Sequence, residues 1–204
     1  MTPVPLHNNA PLTFLARWLR SPRQIGAIAP SSRYLARAIA RQIPRAAFAG
    51  GAPVVELGGG TGSITQGLLE AGLAPERLFV IERDRHLAEL LRHRFPRATV
   101  LCGDAEAMPA LLAPLGVDHA AAVVSGLPLL LFSDEARARL IESAFALLGT
   151  EGPLIQFTYG AKSPVPARPH GLVAKRSALV LRNFPPASVW TYRRAAYVSE
   201  RPAP

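Results

Sequence analysis

The amino-acid sequence predicts an α/β fold: a seven-stranded, mostly parallel sheet with helices on both faces and an antiparallel hairpin at its C-terminal end. Three observations predict it. From residue 52 onward, short apolar runs alternate with segments of helical period, the pattern of buried parallel strands joined by crossover helices. The first run opens into the turn Gly58-Gly59-Gly60-Thr61-Gly62. After the fifth run the helical rhythm stops, and two longer runs follow, joined by Asn183-Phe184-Pro185-Pro186.

Each element has its own signal. Strands are expected at residues 53–57, 78–81, 99–101, 120–124 and 154–159, each short, apolar and β-branched. Helices are expected at 63–71 (closed by Gly72), 85–94, 105–112 and 134–148. The closing hairpin is read at 172–181 and 188–198. Ahead of the sheet, Pro11 suits the first turn of a helix over 11–21. Phe14, Trp18 and Leu19 share one side of that helix, and Arg17 and Arg20 lie opposite. A second helix starts after Pro30-Ser31-Ser32, with a serine as N-cap. This divides the chain into an amphipathic helix with its linker, 1–30, and one folded domain, 31–204.

Composition narrows the partners. With 49% apolar and 18% charged residues over 204 positions, the chain is globular and large enough for one core. The net charge of +9 is carried mainly by arginine, which pairs with phosphate. Nucleic acid and an anionic membrane both satisfy that charge. The single cysteine, Cys102, excludes an internal disulfide and reads as a small buried residue. No run is long enough to cross a membrane, no signal peptide is visible, and no metal-binding cluster stands out. The expectation is a monomeric cytoplasmic enzyme able to lie on the inner face of the cell membrane.

The chemistry is concentrated at strand ends. Val54-Val55-Glu56-Leu57-Gly58-Gly59-Gly60-Thr61-Gly62 runs from strand through glycine turn to helix. Such a turn lets a ligand approach the backbone at the carboxyl end of the sheet, where the next helix aims its free N–H groups. A dinucleotide fingerprint needs a further glycine where Ser63 stands, and no Gly-Lys-Ser/Thr follows to make a phosphate loop. Glu82 ends the second strand, about 20 residues on, where a carboxylate can accept the two hydroxyls of a ribose. Asp104 ends the third, with Ala105 after it. Asp84 and Glu106 read as capping or solvated carboxylates.

The motif Glu-x-Gly-x-Gly-x-Gly resembles the first motif of class I methyltransferases, whose Rossmann-like sheet ends in such a hairpin. That resemblance implies S-adenosylmethionine as cofactor and S-adenosylhomocysteine as product. Glu56, Gly58, Gly60, Thr61, Gly62, Glu82, Arg83, Asp104, Ala105 and Ser125 are then the expected cofactor residues. Over nearly its whole length the chain further resembles the bacterial phospholipid N-methyltransferases of the soluble, rRNA-dimethyltransferase-like branch. The residues that carry this are Phe14-Leu15-x-x-Trp18-Leu19, Ile25-Gly26-Ala27-Ile28-Ala29-Pro30-Ser31-Ser32, Ser125-Gly126-Leu127-Pro128 and Phe157-Thr158-Tyr159-Gly160. Gly59 departs from the family, which usually has proline there.

The resemblance implies stepwise N-methylation of phosphatidylethanolamine toward phosphatidylcholine. Ser125 and Tyr159 are the expected catalytic residues, holding the amine in line with the donated methyl while carbonyls or water take its proton. Arg33, Tyr34, Leu127, Tyr159, Lys162 and Arg168 are expected around the lipid substrate. Phe14, Arg17, Trp18, Leu19 and Arg20 are expected on the membrane, with no nucleic acid as partner. The alternatives are RNA adenine N6-dimethylation, against which stands the missing Asn-Leu-Pro-Tyr type of motif, and a noncatalytic module of the same fold.

Overall fold

The computed structural model describes residues 33–183 and 185–195. In chain order these form α1 (Arg33–Ala40), α2 (Arg45–Phe48), β1 (Val54–Leu57), α3 (Ser63–Glu70), β2 (Leu78–Glu82), α4 (Arg85–Arg94) and β3 (Thr99–Cys102). There follow α5 (Met108–Leu112), β4 (Ala122–Ser125), α6 (Asp134–Leu148), β5 (Leu154–Thr158), β6 (Leu172–Val180) and β7 (Ala187–Arg194).

The strands make one seven-stranded sheet in the order β3-β2-β1-β4-β5-β7-β6. The first five are parallel, and β7 runs antiparallel between β5 and β6. Strand order reverses between β1 and β4, the switch point beside which such sheets bind ligands. Alternation along β1 shows how the sheet is sandwiched. Val54 faces Leu35, Ile39 and Leu68 of α1 and α3, while Val55 and Leu57 face Leu112, Leu140 and Ile141 of α5 and α6. Glycine allows the first layer to close up. A Cβ on Gly67 of α3 would stand 2.1 Å from that of Ala36 of α1.

Helix starts follow local chemistry. The Asp84 carboxylate accepts from the N–H groups of His86 and Leu87 (2.9 and 3.0 Å), and the Ser133 hydroxyl accepts from Ala136 N–H at 3.2 Å. The helix expected over 105–112 is instead a 3₁₀ turn (Ala105–Ala107), α5 and a second 3₁₀ turn (Ala113–Leu115). Pro109 and Pro114 sit in the first turns of the last two, and each removes an N–H that a continuous helix needs. Cys102 is exposed rather than buried, with its thiol 3.8 Å from the Arg83 carbonyl. Four-residue α2 was not expected. The amphipathic helix over 11–21, the serine cap before Arg33, the segment 1–30 and residues beyond 195 lie outside the described residues.

Candidate functional site

A cleft of about 530 Å³ opens along the carboxyl ends of β1 to β5, within the usual range for small-ligand sites. One half lies over β1, β2 and β3. Gly58, Gly59, Gly60, Thr61 and Ser63 line it from the turn after β1, with Glu82, Arg83, Asp104, Ala105 and Glu106 from the ends of β2 and β3. Gly60 adopts a left-handed φ of 55°, and a Cβ there would meet nothing within 4 Å. The turn is therefore an open cradle on its cleft side. The Glu82 carboxylate is locked beneath it, accepting from Gly60 N–H on one oxygen and Asp84 N–H on the other, both at 2.9 Å. Each oxygen keeps a lone pair for a ligand hydroxyl. One oxygen of Asp104 accepts from Glu106 N–H at 2.9 Å.

Glu56 and Gly62 serve the turn from behind. Gly62 caps α3 at φ 83°, and a Cβ there would strike the Phe95 ring at 2.4 Å. Glu56 is fully buried, accepts from the Thr65 hydroxyl at 2.8 Å, and its Oε1 has no partner. Burial pushes its carboxyl up to about 8, so it is largely protonated near neutrality. Neither residue is part of the cleft wall.

The other half lies over β4 and β5. Gly126, Leu127, Pro128, Leu129, Leu130, Phe132, Ala136, Gln156, Phe157, Thr158, Tyr159 and Pro164 line it, without a charged side chain among them. Tyr159 packs edge-on against Phe157, with ring centroids 5.6 Å apart. Ser125 is fully buried, and its hydroxyl accepts from Leu127 N–H at 3.3 Å. It shapes the turn after β4 and is not on the wall. Arg137 of α6 fixes the next turn by donating to the Leu129 carbonyl at 3.2 Å.

Gln156 is the residue the sequence reading passed over. Its amide nitrogen donates to the carbonyls of Leu127 (2.9 Å) and Phe157 (2.7 Å), so the amide cannot be turned round without placing oxygen against oxygen. Its Oε1 is buried without a partner. The indole N–H of Trp190, directly across the β5–β7 ladder, is buried without a partner too. An orphaned acceptor and an orphaned donor on directly paired residues are costly while unsatisfied. A lone glutamine near the end of an otherwise apolar core strand was the available signal.

The remaining substrate expectations fare differently. Leu127 and Tyr159 line the cleft. Arg33 and Tyr34 lie instead at the start of α1, where the Tyr34 ring stacks against the guanidinium groups of Arg33 and Arg182 at 5.1 and 5.3 Å. Lys162 is exposed beyond the end of β5, off the cleft wall. Arg168 is a correction. It precedes β6, whose first residue pairs with Arg194, so the connection has run down to the far end of the sheet. No group of metal-binding residues occurs among the described residues.

No protein-family model matches the chain. The ornithine lipid N-methyltransferase of Singulisphaera acidiphila is 35% identical over 148 residues, spanning 71% of this chain and 76% of that protein. The chain belongs to that methyltransferase family. A shorter match, 44% identical over 52 residues, covers 26% of the chain and 19% of the ribosomal RNA small subunit methyltransferase A of Maridesulfovibrio salexigens. Among solved structures, the 1,6-didemethyltoxoflavin-N1-methyltransferase of Burkholderia thailandensis, with bound S-adenosylhomocysteine, has a TM-score of 0.62 at 15% identity. The match covers 95% of this chain and 92% of that one, and it shows the class I methyltransferase fold.

The family's cofactor is S-adenosylmethionine, and the first half of the cleft fits it. The open cradle at Gly60 and the preset Glu82 carboxylate suit a ribose, and Asp104 with the Ala105 backbone suits an adenine edge. The uncharged second half adjoins it in the same cleft.

Proposed function

We propose that this methyltransferase N-methylates the amino head group of a membrane lipid, with phosphatidylethanolamine and its mono- and dimethyl derivatives as substrates leading to phosphatidylcholine. The observation that carries the reading is the uncharged half of the cleft with its buried, unpartnered Gln156 Oε1. The lipid class follows the named activity of the 35%-identical relative, whose own substrate is an ornithine lipid.

Glu82, Asp104 and the glycine turn would hold S-adenosylmethionine, which would supply the electrophilic methyl group. The chain prepares the acceptor. Entering a half lined by Leu127, Leu129, Leu130 and Phe132, an ammonium loses its water, and with no carboxylate there to compensate, the neutral amine is favoured. Only that form has a lone pair for displacement. For the primary and secondary amines Gln156 Oε1 accepts one N–H and turns the lone pair toward the cofactor half. The tertiary amine, which has no N–H, is positioned by the apolar and aromatic walls alone. Phe157 and Tyr159 offer aromatic faces to a methylated ammonium through cation–π attraction. Ser125 acts as a positioning residue through the turn it holds. Residues 11–21, read as a basic amphipathic helix, keep their proposed place on the membrane.

Expression in a bacterium that makes phosphatidylethanolamine but no N-methylated lipid tests this. Mass spectrometry of extracted lipids is expected to show mono-, di- and trimethylated species. A lipid profile unchanged by an active, cofactor-binding enzyme would contradict it, and methylated ornithine lipid alone would move the substrate to the relative's.

A further inference from the structure

We infer that the β6–β7 turn, together with the start of α1, is a docking edge for an anionic lipid bilayer. The inference rests on the geometry of this edge and holds whichever lipid is methylated.

Strand direction places the edge. Thr158, the last residue of β5, pairs with Ser188 near the start of β7, and Val180, the last residue of β6, pairs with Ala187. The β6–β7 turn therefore stands at the end of the sheet where the cofactor cleft opens. Leu181 in that turn is 71% exposed and Leu179 just before it 54%, the two highest values among the exposed large apolar residues described. Leu131, 44% exposed, follows β4 at the same end. Side chains projecting from a turn suit a soft apolar phase better than a shaped protein partner.

Cations surround them. Arg182 follows Leu181, and its guanidinium donates to the Tyr34 hydroxyl at 3.5 Å while Arg33 donates to it at 3.2 Å. The two guanidiniums stack on the same ring. Lys162 is exposed just past β5 at this end. The acidic side chain whose field reaches Arg33 is Glu70, itself bonded to Gln66 at 2.7 Å. Apolar tips with arginines and a tyrosine behind them match the interfacial layer of a bilayer: leucines enter, the cations meet lipid phosphates, and the tyrosine sits between. Arg33, the first of the described residues, itself stands at this edge. Docking there turns the mouth of the cleft toward the membrane.

Flotation of the full chain with phosphatidylglycerol–phosphatidylcholine vesicles, which contain no lipid amine that can be methylated, separates this inference from the substrate assignment. Leu181→Asp is expected to weaken partitioning on the order of tenfold, and each of Arg33→Gln and Arg182→Gln about fivefold, less at high salt. Affinity for S-adenosylhomocysteine, by calorimetry, is expected to stay unchanged in all three, which shows that they fold. Partitioning that survives all three substitutions would overturn the inference. So would a Leu181→Asp variant whose one change is dissociation of a dimer, since the leucines would then cover a second copy of the chain.

Discussion

At the residue scale, the cleft divides labour between groups that are already satisfied and one that is not. Glu82 is held by two backbone N–H groups before any ligand arrives, so its contribution is preorganised. Replacing it with alanine is expected to weaken S-adenosylhomocysteine binding by roughly 10- to 100-fold, the loss of charge-assisted bonds, as calorimetry would read. Gln156 is the opposite case. Gln156→Leu removes the orphaned acceptor, and kcat/KM for the lipid is expected to fall by roughly tenfold or more with cofactor affinity unchanged. Equal losses in both would mean that the side chain merely holds the β4 turn.

Glu56 makes a prediction in pH. Its carboxyl is raised by burial from 4.5 to about 8 in the folded protein. The native state therefore holds a proton that the unfolded chain has released, and stability falls as pH rises between those values and levels off above them. The slope approaches about 1.4 kcal/mol per pH unit from this one group. Chemical denaturation of Glu56→Gln across that window is expected to show the slope reduced. These residues differ in how far the sequence revealed them. Glu82 and Asp104 were legible because topology alone puts strand-terminal carboxylates at the rim. Gln156 belongs to no motif, and its orphaned oxygen exists only once β4, β5 and β7 are assembled. Arg168 misled because nearness in sequence to the end of β5 said nothing about where the connection runs.

At the element scale, the packing of the glycine turn explains a departure that sequence alone left open. A Cβ on Gly59 would stand 2.5 Å from Val80 Cγ1 and 2.8 Å from Leu91 Cδ1. The proline usual in the resembling family therefore needs a smaller neighbour here. Gly59→Pro is expected to lower stability by about 1–3 kcal/mol, and trimming Val80 to alanine in the same chain to recover part of it. Thermal melts of the single and double variants decide; a stabilised single variant would show that the turn tolerates the ring. The expected bounds of α4 and α6 agree with the structure, where Asp84 and Ser133 cap their first turns. The segment around α5 was misread because helical period survives two prolines that continuous hydrogen bonding does not. Tyr192 shows a third kind of contact, invisible locally. Its buried phenol, pushed up to about 12, meets the Ser163 hydroxyl at 2.7 Å and ties the β5–β6 connection to β7.

At the scale of the whole molecule, one end of the sheet gathers the features on which the proposed function rests. The cofactor cradle, the uncharged acceptor half and the leucine–arginine edge all lie where the parallel strands end. The alternation of strands and helices made the sheet and its hairpin legible, since burial on both faces imposes unbroken apolar runs. It left the acceptor half only partly read: Leu127 and Tyr159 were expected and line it, while the place of Gln156 depends on the turns after β4 and β5, whose courses no periodicity encodes. No helix among the described residues is long and apolar enough to cross a membrane. The most direct measurement is transfer of label from radioactive S-adenosylmethionine, with phosphatidylethanolamine vesicles and ribosomal RNA offered side by side. The account predicts label in methylated lipid, entering roughly tenfold or more slowly in Gln156→Leu. Label in RNA alone would keep the fold and the cofactor half of the cleft and contradict the assignment of the other half to a lipid amine.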